Sequence, residues 1–263
     1  MLQQLKQKIK RRETPFDAWL FETLVSLRSL SLPVIPGVHA ALYRERQLRR
    51  ALWGRLTKGL YYEPLFKSRC TSVGRRFRIE NGGGDGIPTL SGDLEMYIGH
   101  DVRMMDRITI SGVGEAPPGR LYIGDRTYLG LQMLISVGRE IHIGKQCLIG
   151  AYLITDNPGH PIGDLGRRLS ADLVRASECR PVHIGDYVWL ATGTHVYPGC
   201  RIGDGVVALP GTHVAGMDVP PFTLVSGNPG RIQAKLPLPS SLIEIVGQER
   251  YQAYREAHRN LKL

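Results

Sequence analysis

His160 is the residue in this chain best suited to move a proton. It stands in Gly159-His160-Pro161, inside the stretch Thr155 to Pro181, which lacks the repeat found on either side of it. Imidazole is the side chain whose ordinary pKa lets it gain and lose a proton near neutrality. A long irregular insertion in a compact repeat is usually functional or disordered, and the bland alternative is a surface histidine in a loop. Asp156 could hold the other ring nitrogen of His160, as could a backbone carbonyl. Beside Asn157-Pro158, Asp156 reads equally as a turn residue. The other histidines offer less: His142, His183, His195 and His213 fall at repeat positions expected on an outer wall, His39 on an expected helix and His100 at a corner. Cys70, Cys147, Cys179 and Cys200 show no C-x-x-C spacing, which argues against a zinc knuckle or disulfide framework and fits a reducing compartment.

What must position His160 is a repeat of six. From Ile184 to Val214 an aliphatic residue opens every block, at Ile184, Leu190, Val196, Ile202, Ala208 and Val214. The Ile184-Gly185 and Ile202-Gly203 pairs sit 18 residues apart. This period fits neither a helix at 3.6 nor a simple strand at 2. It fits a solenoid in which each block is a short strand and a turn, and three blocks close one coil. Aliphatic side chains then point to the axis and glycine takes the tight corner. The same rhythm runs less regularly from Ile98 through Met104 and Ile110, and cleanly from Ile123 through Leu129, Ile135 and Ile141, before Ile143-Gly and Ile149-Gly. A parallel β-helix is expected.

Around it the composition changes. Of the chain's 34 Lys+Arg and 24 Asp+Glu, residues 1–78 hold 17 and 5, so the net charge of +10 belongs to the N-terminal part. Such a patch suits an anionic membrane surface, a polyanionic glycan or nucleic acid, but nucleic-acid modules and their interleaved aromatics are missing. Helical stripes run through Phe16, Leu20, Leu24 and Leu27, and through Leu42, Leu48, Leu52, Leu56 and Leu60, broken by Pro33 and Pro36. They read either as packing on the open end of the solenoid or as lying on a membrane. Asn81 to Gly86 is glycine-rich but lacks the Lys-Ser/Thr of a phosphate loop, and is expected to be a wide turn. Ser241-x-x-Glu244 resembles a capping box opening a C-terminal helix. No secretory signal is evident, so a cytoplasmic location is expected.

The hexads, the His160 loop, Ile184-Gly-Asp-Tyr-Val-Trp189 and Val225-Ser-Gly-Asn-Pro-Gly-Arg231 together resemble the hexapeptide-repeat acyltransferases, in the xenobiotic, maltose/galactoside and polysaccharide O-acetyltransferase branch. The resemblance covers about residues 98–235. It implies an all-β solenoid, a left-handed parallel β-helix forming a homotrimer, with active sites between subunits and acetyl-CoA as acyl donor. It implies that His160 is the general base, that an N–H near Thr192 steadies the oxyanion, and that no acyl-enzyme or metal takes part. It also implies that CoA meets the corners Ala191, Thr192, Gly193 and Leu209, Pro210, Gly211, with Trp189 beside the pantetheine arm. Arg231 and Lys235 would meet its phosphates, and Gln132 would meet the acceptor. These corners depart from the usual Gly-Ala-Gly, being bulkier, and Pro210 has no N–H to give. The expected layout is a basic helical region over 1–80, the β-helix over 81–236 with the loop 155–181, and a C-terminal helix over 237–263.

The expected activity is transfer of an acetyl group to a sugar hydroxyl, in surface polysaccharide or glycolipid assembly, with residues 1–60 holding the protein at the inner membrane face. The rivals are a non-catalytic scaffold docked at the membrane and a metal-binding β-helix of the γ-class carbonic anhydrase kind. The latter needs three converging histidines, and this chain lacks the closely spaced pair.

Overall fold

The computed structural model describes residues 2–114, 117–130, 132–170 and 173–262. The chain divides into two compact units, Met1–Trp53 and Gly54–Leu263. The first holds helices Leu2–Arg11 and Pro15–Arg28 and most of Pro36–Thr57. Thr14 starts the second helix: its hydroxyl accepts from the Asp17 N–H at 3.1 Å, with proline in the first helical turn, where its missing donor costs nothing. The apolar stripes expected here find no core. Phe16 is 66% exposed, Leu48 62% and Trp53 69%, and Asp17 is the one buried residue among those described in this unit.

The second unit is a parallel β-helix of three sheets, with seven, eight and six strands. Its pairing confirms the repeat of 18: Ile184 lies beside Ile202, Leu190 beside Ala208 and Val196 beside Val214. All six are buried and form part of one continuous core with Met104, Ile110, Leu129, Ile135 and Ile149. Burial of each such side chain contributes about 1.5–3 kcal/mol. The Ile-Gly-Asp corner has a steric and a polar reason. Asp125 Oδ1 accepts from His100 N at 2.7 Å, Asp186 Oδ1 from Lys145 N at 2.9 Å and Asp204 Oδ1 from Asp186 N at 2.7 Å, so each carboxylate caps the coil before it. A Cβ on Gly185 would come within 2.4 Å of Asp204 Oδ1.

Both ends of the stack are closed by the chain itself. Strands Ser72–Val73 and Arg78–Glu80 already belong to the first and second sheets, so the coil begins ahead of the boundary expected at residue 81. Beneath them Phe66, fully buried in helix Glu63–Lys67, stacks on Phe77 with ring centroids 5.2 Å apart. At the far end strand Arg231–Lys235 runs antiparallel to Thr223–Ser226, through a turn with a cis Asn228-Pro229 bond. The C-terminal segment forms two helices, Leu242–Val246 and Gln248–Asn260, parted by Gly247 at φ 84°. The expected capping box is not made: Ser241 already has helical angles (φ −58°, ψ −21°), and its side chain caps nothing. The second of these helices is tied to the coil instead, with Arg250 Nη2 at 2.7 Å from both Asp186 Oδ2 and Asp204 Oδ2.

Candidate active site

The loop that carries His160 leaves and rejoins the coil at one corner, between the third sheet and the first. Asp156 is fully buried there. Its Oδ1 accepts from Gly138 N at 2.6 Å, and its Oδ2 accepts from Arg139 N at 2.7 Å and Glu140 N at 2.6 Å. The Asn157 amide donates to Ser136 O at 3.0 Å, while its Oδ1 accepts from Gly159 N at 3.0 Å. The loop's root is thus bonded to the coil below, and its return is fixed by Arg180 N donating to Asp156 O at 2.7 Å. Asp156 Oδ1 also accepts from the Asn157 amide at 3.1 Å, so in this structure its oxygens meet these donors and make no bond to the His160 ring. Asp156 anchors the loop. His160 is exposed, and its ring bonds to no described residue. Within the loop Arg167 pairs with Glu178 at 3.0 Å. The Arg175 N–H and this guanidinium hold the Glu178 carboxyl below the ordinary range.

Beneath the loop lies a groove of about 890 Å³ on the outer face of the third sheet. Pro158, Gly159 and Ile162, which flank His160 in sequence, form one side; Leu134, Ser136 and Leu153 form the floor. His213, Tyr197 and Arg180 also line it. His195 and His213 occupy the same register on successive coils, with ring centroids 4.2 Å apart. His195 Nδ1 lies 2.9 Å from Gly193 O, which places the proton on that nitrogen. These outer-wall histidines were legible as wall residues from their hexad positions; that their wall bounds a groove was not.

The other expected site residues fall elsewhere on the coil. Gln132, at φ 57°, shares the edge between the second and third sheets with Ala191-Thr192-Gly193 and Leu209-Pro210-Gly211. Gly211 N donates to Thr192 O at 3.1 Å, whereas the Thr192 and Gly193 N–H groups meet no acceptor among the described residues. Trp189, 48% exposed, stands on the outer face of the second sheet between Leu148 and Val207. Arg231 and Lys235, at the two ends of the closing strand, are exposed and form no ion pair among the described residues. Within one copy, therefore, the third sheet separates His160 and Asp156 from the corner residues. Burial pushes the thiols of Cys147 and Cys179 up to about 11 and that of Cys70 to about 12, so none of these three is a ready nucleophile. Among the described residues no three His, Cys, Asp or Glu side chains gather to hold a metal.

No family model matches the chain. A Bacillus subtilis protein provisionally named an acetyltransferase is 49% identical over 115 residues, 43% of this chain and 59% of that protein. A similar protein of Saccharomyces cerevisiae, named in the same provisional terms, is 34% identical over 116 residues, 44% of this chain and 56% of that one. The galactoside O-acetyltransferase of Lactococcus lactis is 27% identical over 117 residues, 44% of this chain and 53% of that enzyme. The matched segment thus spans between half and three-fifths of these relatives. Among solved structures, a hexapeptide-repeat acetyltransferase of Vibrio cholerae complexed with acetyl coenzyme A aligns at 24% identity and a TM-score of 0.44, over 66% of this chain and 76% of that one.

Proposed function

We propose that this chain, whose coil resembles that of the hexapeptide-repeat acetyltransferases, transfers the acetyl group of acetyl-CoA to a sugar hydroxyl. His160 is the general base. Its unprotonated nitrogen takes the hydroxyl proton as that oxygen attacks the thioester carbonyl. The tetrahedral oxyanion is met by a free N–H at Thr192, a kind of contact that contributes about 2.7–4 kcal/mol. Collapse expels the CoA thiolate, which recovers the proton from the imidazolium, leaving the O-acetyl sugar and CoA.

The observation that carries this reading is the groove: the residues on either side of His160 line it, and the loop is bonded down at both ends. Acetyl-CoA would lie along the opposite edge, where Thr192 and Gly193 have donors to spare and Arg231 is an unpaired cation suited to phosphate, with Lys235 at the far end of the same strand. Trp189 would flank the pantetheine arm and Gln132 the acceptor. Because base and donor edge lie across the third sheet from one another, a left-handed coil assembled as a homotrimer would complete each site by setting one copy's edge against the next copy's loop. The basic helices of residues 1–60 would hold the assembly at the inner face of a membrane, where surface polysaccharide or glycolipid precursors are built. No helix among the described residues is long and apolar enough to cross one.

Thiol release from acetyl-CoA, followed with a panel of sugars, tests the reading. His160→Ala is expected to lower kcat about 10²–10⁴-fold with acetyl-CoA binding retained. Unchanged turnover in that variant would sink the assignment. Sedimentation equilibrium checks the oligomer, with three copies expected.

A further inference from the structure

We propose that the acceptor is an anionic sugar whose carboxylate or phosphate is read by Arg180. The inference rests on the acyltransfer reading above and names the substrate class for the same groove.

The ionisable side chains lining the groove are Glu178, Arg180, Tyr197 and His213. Glu178 is already neutralised: Arg167 Nη1 and Nη2 donate to it at 3.0 and 3.4 Å, and Arg175 N at 2.8 Å. Arg180 has no such partner, forming no ion pair or side-chain hydrogen bond among the described residues. Its backbone is fixed at both ends, N–H to Asp156 O at 2.7 Å and carbonyl to Gly199 N at 2.9 Å. The groove therefore presents one uncompensated, permanently charged guanidinium on a rigid root. A guanidinium of this kind matches a carboxylate or phosphate through two parallel hydrogen bonds. The rest of the lining suits a sugar. Ser136, Tyr197 and Asn228 bring hydroxyl and amide groups, while Leu134 and Leu153 offer apolar surface to a ring face.

Acetyl-CoA could also supply the anion, since it carries phosphates. Those lie at the far end of the pantetheine arm from the thioester, whereas Arg180 is bonded through its backbone to the root of the His160 loop, where the thioester must react. The anion near the reacting end therefore belongs to the acceptor. The unpaired cations for the donor's phosphates are Arg231 and Lys235, on the second sheet.

The test compares a neutral hexopyranoside with its uronate and its 6-phosphate, using the full chain. Titration calorimetry measures binding, and thiol release measures transfer. The wild type is expected to bind one of the anionic glycosides about 10- to 100-fold more tightly than the neutral one, as charge-assisted hydrogen bonds allow. Arg180→Gln is expected to erase that preference, leaving the KM for acetyl-CoA and the melting temperature unchanged. Equal affinity for all three glycosides, or no binding of any, overturns the proposal. So does an Arg180→Gln variant whose KM rises for acetyl-CoA but not for dephospho-CoA, which would assign the guanidinium to the donor. A preserved anion preference in binding with no acetyl transfer from acetyl-CoA would instead refute the transferase reading while leaving Arg180 as the anion's partner.

Discussion

At the scale of single residues, His160 and Asp156 stand close in sequence and do opposite things. His160 is exposed and unbonded, so its loss should remove chemistry and leave the fold alone. Asp156 is buried under three backbone donors, and Asp156→Ala would leave those N–H groups without an acceptor, at about 1–3 kcal/mol for each one that water cannot reach. The expected outcome is a melting temperature several degrees lower, with activity lost as the loop detaches; a melt equal to the wild type's would show that the anchor is dispensable. The thiols give a second check. With Cys147 and Cys179 raised to about 11, their reaction with an alkylating reagent at pH 8 should be slow until the protein is unfolded. Rapid labelling of both in the native state would contradict the burial that raises them. Glu178 sets an acid limit on the same loop. Its carboxyl is held low by the Arg175 N–H and by Arg167, so its contribution is fully present above the ordinary carboxyl pKa and is lost as pH falls through the lower folded value. Protease nicking of the loop should therefore increase in acid, below the ordinary carboxylate range, and Glu178→Gln should make nicking at neutral pH resemble it.

At the scale of elements, the coil was written plainly in the sequence because each of its constraints is local. Ile184, Leu190 and Val196 announce the inward positions by spacing alone, and Gly185 and Asp186 announce the corner. What could not be read are contacts made between residues far apart in the chain. Arg250 gives no sign in sequence that it will meet Asp186 and Asp204, each a corner aspartate of a different coil. Arg180 looks like one more charge at the end of a loop until the groove beside it is visible. The stripes of Phe16 and Leu48 were readable as helical, but what they face lay beyond a periodicity argument. The two corner features lend themselves to measurement. Gly185→Ala forces a Cβ against Asp204 Oδ1 and should cost about 1–3 kcal/mol of stability, as overpacking does. Arg250→Met should cost less, about 1 kcal/mol, since this guanidinium is 39% exposed and partly screened. If chemical denaturation finds Arg250→Met the more damaging, the C-terminal helix contributes more to the coil than the clasp alone explains.

At the scale of the whole molecule the chain is asymmetric in charge and in burial, and in the same direction. The coil buries its apolar residues, while the helices of the first unit leave Phe16, Trp19, Leu48, Leu52 and Trp53 more than half exposed. The same unit carries Arg44, Arg46, Arg49 and Arg50 on one helix, where Glu45 is the single acid and is paired with Arg49 at 2.7 Å. Exposed apolar side chains call for a cover, and like charge disfavours a second copy of the same unit as that cover. An anionic lipid surface satisfies both demands, at about 1 kcal/mol for each basic residue held near it. In a trimer three such regions would bind together, so that weak single attachments add to a firm one. The protein should therefore sediment with vesicles that contain phosphatidylserine at 0.05 M salt and remain in solution with vesicles of phosphatidylcholine alone. Raising salt to about 0.5 M shortens the screening distance to roughly 4 Å and should release most of it. Replacing Arg44, Arg46 and Arg50 together with Gln should lower vesicle binding without altering acetyl transfer to a dissolved sugar. Protein that stays in the supernatant with anionic vesicles at low salt would remove the membrane from the account and return the exposed helices to a protein partner.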